Sequence, residues 1–211
     1  MTQQTNNTAT RIVVGITGAS GAVYAQKLIR LLLDAGIETH LVVSPNGQRI
    51  LHEELGIEAY TGQTLLGLAS DSDQHSKLIL HAYRNVAAHI ASGSFPHDGM
   101  IVIPCSSNTL AAVAAGRSEN LLHRAAQVCL KQRRKLLLVH REMPLNLIDI
   151  RNMQAATEAG AIITPACPGF YMLPQTVDDL VDFVTGRCLD LLNVPHTLDI
   201  RWHAKTIHQR T

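Results

Sequence analysis

The chain has 211 residues, 46% of them apolar and only 4% aromatic, with a formal net charge of +1. That length suffices for one well-buried domain, and the Val, Ile, Leu and Ala excess suits the core of an α/β protein. The near-neutral charge excludes a general nucleic-acid binder, and no apolar run reaches the roughly 18 residues needed to cross a bilayer.

In chain order, the polar opening MTQQTNNTAT reads as a disordered lead-in over residues 1–10 without the regions of a secretory signal, so a cytoplasmic location is expected. RIVVGIT (11–17) is a β-branched run and the first predicted strand. Val23, Leu28, Leu31, Leu32 and Ala35 then recur at helical spacing, with Gly36 suited to the C-terminal end. IETHLVVS (37–44) reads as the second strand, and a helix runs from Pro45 to Gly56. Residues 57–82 carry no clear period and read as a loop with a short strand near Leu78–Leu80. GMIVIP (99–104) is a buried strand, followed by a helix in SNTLAAVAAG and another over about 119–133. KLLLVH (135–140) is a strand, 146–159 a helix ended by Gly160, and AIIT a last strand. Thr176 with Asp179 resembles a capping box for a final helix to about Asn193. Alternating helices and continuously apolar strands predict a doubly wound, mainly parallel sheet covered on both faces.

Two readings concern cysteine and metal. Cys105, Cys129, Cys167 and Cys188 show no C-x-x-C spacing and are expected as free, buried thiols. The histidines form no metal-ligand pattern, so no structural metal is expected.

GITGASGA (15–22) raises the first functional question, because Gly15, Gly18 and Gly21 are spaced G-x-x-G-x-x-G between a strand and a helix. Such a turn presents backbone N–H groups and a helix dipole to an anion. A dinucleotide site would add an acidic residue at the end of the second strand, where this chain has Ser44. Ser20 and Ser44 suit instead a ligand with one terminal phosphate and a polyol, such as flavin mononucleotide (FMN). CSSNT, with Ser106, Ser107, Asn108 and Thr109, adds a third polar strand end, although each of these hydroxyls alone could be a helix cap. Arg124 and Lys131 are two helical turns apart and share a face. Arg133, Arg134 and Lys135 read as a solvated helix end, whereas Arg141 and Glu142 fall at the functional end of an apolar strand. Arg187, amid Phe183, Val184, Leu189 and Leu191, needs an aspartate or an anionic ligand as partner.

The segments GITGASGA, ASGSF (91–95), PCSSNTL, ENLLHRAAQVCLKQRRKLLLVHREMPL and PGFYMLPQTVDDLVDFVTGRCLDLL closely resemble the UbiX/Pad-type flavin prenyltransferases, over about residues 11 to 202. The resemblance implies a Rossmann-like flavoprotein domain over 11–194 and a tail, 195–211, that packs on a neighbouring subunit or the site. It implies transfer of a dimethylallyl group from dimethylallyl phosphate to reduced FMN, without metal. The product, prenylated FMN, would go to a UbiD-type decarboxylase, and the enzyme would be a trimer-based homododecamer.

Carried onto this chain, the resemblance makes Gly18, Ala19, Ser20 and Ser44 contacts of the flavin phosphate and ribityl chain. Ser106, Ser107, Asn108 and Thr109 would line the ring, with Arg141 beside it. Lys131, Arg141, Tyr171 and Arg187 would hold the prenyl phosphate, supported by Arg124, with Ser92 beside the prenyl group and Trp202 near the site. Glu142 would move protons, with Ser20, Glu54 and Lys131 as further catalytic candidates. Pro45, Asn46, Asn108 and Gln132 depart from the usual family pattern. One rival is a cysteine-decarboxylase-type flavoenzyme with His89 as its histidine, but its PxMNxxMW-like stretch is replaced by REMPLNLIDIRNM. Another is a non-catalytic flavin carrier, disfavoured because the phosphate-grip residues are all present.

Overall fold

The computed structural model describes residues 10–67 and 76–201. Six parallel strands form one sheet in the order β3-β2-β1-β4-β5-β6. They are β1 (Arg11–Ile16), β2 (Glu38–Val43), β3 (Leu78–His81), β4 (Gly99–Cys105), β5 (Lys135–His140) and β6 (Ile162–Ile163). The helices are α1 (Ala22–Asp34), α2 (Pro45–Leu55), α3 (Gly62–Leu66), α4 (Ser107–Ala114), α5 (Leu121–Lys131), α6 (Leu147–Glu158) and α7 (Val177–Leu192), with a 3₁₀ turn at His89–Ala91.

Alternation along the central strands explains why both faces are covered. Ile12, Val14 and Ile16 point to a core shared with Leu28, Ile29 and Leu32 of α1 and Val184, Cys188 and Leu189 of α7. Val13, Met100, Val102 and Leu138 point the other way, against Leu110 of α4 and Leu121, Leu122 and Ala126 of α5. Each fully buried Leu or Ile among them contributes on the order of 2 kcal/mol. The expected strand–helix order holds. The unreadable stretch also contains α3, capped by reciprocal bonds between Thr61 and Thr64. The capping box at Thr176 and Asp179 is present.

Two expectations need correction. Cys167 is exposed, unlike the other three free thiols. Arg134 and Lys135 are not a solvated helix end. Arg134 donates to the carbonyls of Phe95 (2.8 Å) and Gly93 (2.9 Å), and Lys135 donates to that of Leu191 (2.6 Å) at the C-terminal end of α7. Long basic side chains can reach distant carbonyls, and the dipole of α7 favours a cation there. Ile200, at the start of the tail, is buried and lies against Gly186 of α7. Among the described residues no helix is long and apolar enough to cross a membrane.

Candidate active site

The connections to either side of β1 run in opposite directions, so the strand order reverses between β1 and β4, and ligands of open parallel sheets sit beyond the strand ends at that point. Here the ends are tied together by Thr17. Its hydroxyl donates to the Pro104 carbonyl (2.7 Å) and accepts the Ser106 amide (2.9 Å). The Ser44 amide donates to the Ile16 carbonyl (2.9 Å), which fixes the end of β2 alongside. Ser44 caps α2 by accepting the Gly47 amide (3.0 Å), and Ser106 caps α4 by accepting the Thr109 amide (3.3 Å). These hydroxyls are helix caps and also face a cleft of about 320 Å³, whose other walls are Thr17, Gly18, Pro45, Asn46, Tyr83, Asn108 and Thr109.

Two helix N-termini, those of α2 and α4, thus meet at one hydroxyl-rich cleft, an arrangement that receives an anionic oxygen ligand. The close approach needs glycine. A Cβ on Gly18 would lie 2.4 Å from Asn46 Cβ, and one on Gly47 would lie 2.5 Å from the Ile16 carbonyl oxygen. The donor set of hydroxyls, amides and backbone N–H groups fits a phosphate and a polyol chain, as FMN has.

The glycine turn is organised differently from the expectation. Gly21 precedes α1 at φ 120°, and no side chain within the turn caps the helix. Glu54, from α2, does so instead, accepting the amides of Gly21 (3.0 Å) and Ala22 (2.8 Å). Burial pushes the Glu54 carboxyl up, but the Ser20 hydroxyl, the two amides and the charge of Arg141 carry it below the ordinary value. The first amides of α1 are therefore taken by a protein carboxylate, and the helix ends that face the cleft are those of α2 and α4. Arg141 donates from Nε to the Ser20 carbonyl (3.2 Å), which joins the end of β5 to the turn.

Beside Arg141, the exposed Glu142 accepts the Met143 amide (3.1 Å) within its own loop. Ser107 does not line the cleft. Its hydroxyl lies 3.0 Å from His140 Nε2 and helps to lower the pKa of the Asp149 carboxyl. His140 and Asp149 were not singled out from the sequence. The available signal was position, since His140 ends an apolar strand directly before Arg141. Tyr83, a cleft wall, lies just past the stretch that lacked a period.

Ser92 belongs to a loop braced by arginines. Arg124 donates to the Ala91 carbonyl (3.2 Å), Arg134 holds Gly93 and Phe95, and the Ser92 and Ser94 hydroxyls pair at 2.8 Å. Lys131 is exposed at the end of α5. Tyr171 meets Phe183 edge-on with ring centroids 5.6 Å apart, and Arg187 pairs with Asp190 at 3.0 Å. None of Lys131, Tyr171 and Arg187 lines the cleft. A single chain therefore brings Gly18, Ser44, Ser106, Asn108 and Thr109 together around the cleft, while these three stand outside it. Trp202 lies outside the described residues. His89 stacks on Phe95, at 6.2 Å between centroids, and is not a cleft wall.

Comparisons with known proteins agree with this geometry. The Flavoprotein family model matches residues 1–189. Flavin prenyltransferase UbiX of Halalkalibacterium halodurans is 45% identical over 190 residues, covering 90% of this chain and 91% of that protein. The crystal structure of AnUbiX (PadA1) in complex with FMN and dimethylallyl pyrophosphate superposes with a TM-score of 0.80 at 39% identity, over 92% of this chain and 98% of the other. A dodecameric FMN-dependent UbiX-like decarboxylase from Escherichia coli O157:H7 gives 0.81 at 41% identity, over 92% and 100%. The cysteine decarboxylase SpaF, at 18% identity, shares the fold alone. A parallel sheet with a hydroxyl-lined cleft at its switch point, and identity above 40% across nine-tenths of the chain, make this protein a member of the UbiX flavin prenyltransferase family within the flavoproteins.

Proposed function

We propose that the chain transfers a dimethylallyl group from a dimethylallyl phosphate ester to reduced FMN, making prenylated FMN for a UbiD-type decarboxylase. The observation that carries this reading is the junction of two sites. The cleft of Ser44, Asn46, Ser106 and Thr109 suits a mononucleotide phosphate, and Arg141, anchored on Ser20, borders the glycine turn beside it. Reduced FMN, when bound, supplies the electron-rich ring that accepts the dimethylallyl carbon.

The chain's own residues serve the departing phosphate. Loss of that group leaves positive charge on the allylic carbon, so the anion must be gripped as it forms. Guanidinium groups do this bidentately, which suits Arg141 and Arg187, and Lys131 and Tyr171 add donors. Glu142 is exposed beside Arg141 and is positioned to exchange a proton between leaving group and solvent. Glu54, already bonded to two amides, acts by holding the turn rather than by donating a proton.

Lys131, Tyr171 and Arg187 complete the grip from a neighbouring subunit of a trimer-based dodecamer. The apolar side chains left exposed on this chain, Met143, Ile148, Phe170 and Val177 among them, supply the contact area such an assembly needs. Four free thiols suit a reducing cytoplasm.

The test is anaerobic incubation with reduced FMN and either dimethylallyl monophosphate or diphosphate, followed by mass analysis of the flavin. A mass gain of one dimethylallyl unit with at least one donor is expected, and unchanged flavin with both overturns the reading. Glu142→Gln should keep flavin and lose prenylation. Arg187→Ala should raise the prenyl-donor requirement far more than the flavin requirement.

A further inference from the structure

His140 and Asp149 are each only 3% exposed, and ionisable groups so buried are costly unless they are paired. Ser107 joins them. Its hydroxyl lies 3.0 Å from His140 Nε2, and it is the chief influence that lowers the pKa of the neighbouring Asp149 carboxylate. The three come from three elements, namely the end of β5, the first turn of α4 and the first turn of α6.

The direction of the hydrogen bonds follows from donor chemistry. An ionised carboxylate only accepts, so the Ser107 proton goes to Asp149, and the Ser107 oxygen then accepts from His140 Nε2–H. This order differs from a hydrolytic triad, because the serine has given its proton to the acid and the histidine donates instead of abstracting. Ser107 is not a nucleophile here. Asp149 is held ionised by Ser107 and the Asn146 amide, against the opposing effect of burial. It also accepts the Asn146 amide (3.2 Å) at the start of α6, where the dipole favours a negative charge. Burial keeps His140 neutral, aided by the charge of Arg141 and opposed by Asp149 and Glu142.

On both sides of this chain lie residues given work in the proposed reaction. Asn108 and Thr109, which follow Ser107, are cleft walls, and Arg141 and Glu142 follow His140. We propose that His140 and Asp149 are positioning residues which, through Ser107, hold the Arg141–Glu142 pair in register with the flavin cleft. The inference rests on the prenyltransferase reading and deepens it. It assigns a role to two residues that are not walls of the cleft. The bond from Arg141 to Ser20 fixes one end of the pair, and the His140 chain fixes the other. Displacing a catalytic group by about 1 Å costs as much as 100-fold in rate, so an anchor of this kind is visible in turnover.

The experiment uses the full chain loaded with FMN. Long-range proton–nitrogen NMR of wild-type His140 should show a neutral ring protonated at Nε2, persisting below the ordinary histidine pKa of about 6.5. Ser107→Ala should abolish that single tautomer. A wild-type ring protonated at Nδ1, or one titrating at the ordinary value, overturns the proposal. His140→Leu and Asp149→Leu should lower kcat for prenylation about 10-fold or more while changing flavin affinity less than about 2-fold. His140→Gln, which keeps a donor near the Nε2 position, should recover most of the loss. If His140→Leu fails to fold, Ser107→Ala carries the same kinetic test, since it removes the link between the two buried partners without opening a large cavity. Variants that prenylate at the wild-type rate overturn this inference alone. A wild type that makes no prenylated flavin overturns the functional reading with it.

Discussion

The Glu54 carboxylate accepts the Ala22 amide at 2.8 Å, so the start of α1 is closed by a side chain from α2 and not by a residue of its own turn. The glycine turn gains mobility in sequence from Gly18 and Gly21 and loses it in space to this one contact. Arg141 approaches the same turn from the other side, through the Ser20 carbonyl. The turn is therefore suspended between an acid and a base that lie far apart in the chain.

Glu54→Ala should destabilise the protein by about 1 kcal/mol, the usual cost of a lost helix cap, kept low because the carboxylate is exposed. Its carboxyl is held below the ordinary value of 4.5, so this contribution is present above about pH 4.5 and fades as pH falls through the depressed value. Urea melts of wild type and variant at neutral pH and near pH 3 measure it. The difference between them should shrink at the lower pH, and an equal difference at both would show that the charge of Glu54 contributes nothing.

A second pH effect comes from His97, beside Phe95, and His81, stacked on His40. His97 is 7% exposed, and burial, aided by Arg134, pushes it from the ordinary 6.5 to about 4, while His81 reaches about 4 through burial and the nearby His40 and His89. Both are neutral when folded and take up protons when unfolded, so the stability they contribute is complete above pH 6.5 and is lost as pH falls toward 4. For His97 the loss is about 2 kcal/mol by pH 5. The half-exposed setting of His81 calls for a smaller figure. His97→Gln should flatten the fall in denaturant midpoint between pH 7 and pH 5, and an unchanged slope would remove His97 from the account.

The architecture was legible because the strands are long β-branched runs and the helices carry their own punctuation. Pro45, Gly56, Thr176 and Asn193 mark helix ends with backbone chemistry that depends on neighbours in sequence. Within 57–82 the short strand expected near Leu78–Leu80 is β3, but α3 was not legible, since it is a five-residue turn held by threonines. At the site, hydroxyls at strand ends could be read as a rim, because position along a parallel strand sets the side on which a ligand lies. The residue roles came from family resemblance. What neither route supplied were partnerships across the chain, such as Arg134 with the Gly93 carbonyl or Ser107 with His140. Local composition puts Arg134 in a solvated cluster, and the family resemblance puts Ser107 among the flavin contacts.

Gly47 tests whether the cleft depends on close approach of α2 to β1. An added Cβ would lie 2.5 Å from the Ile16 carbonyl oxygen, a backbone atom that cannot swing away. Gly47→Ala should push the start of α2 outward, carrying Ser44 and Asn46 with it. Stability should fall by roughly 1–3 kcal/mol, the range typical of overpacking. FMN affinity, measured by flavin fluorescence quenching, should weaken about 10-fold, equivalent to about 1.4 kcal/mol. Normal affinity in a destabilised variant would separate the cleft from the flavin phosphate.

Arg134 tests the loop that presents Ser92. Its guanidinium spans the carbonyls of Gly93 and Phe95, at 2.9 and 2.8 Å, and a Cβ on Gly93 would lie 2.5 Å from Gln132 Nε2. The loop is thus gripped from one side and confined from the other. Lysine keeps the charge but cannot bond both carbonyls in the fixed geometry of the guanidinium fork. Arg134→Lys should therefore raise KM for the prenyl donor about 3- to 10-fold while leaving FMN affinity within about 2-fold, since two hydrogen bonds from a charged group are weakened and the flavin cleft is untouched. Arg134→Ala should do the same more strongly and also lower Tm. Initial-rate kinetics with each substrate varied in turn separate the two effects. If the change appears in flavin affinity and not in prenyl-donor KM, the loop serves the flavin, and Ser92 has been assigned to the wrong substrate.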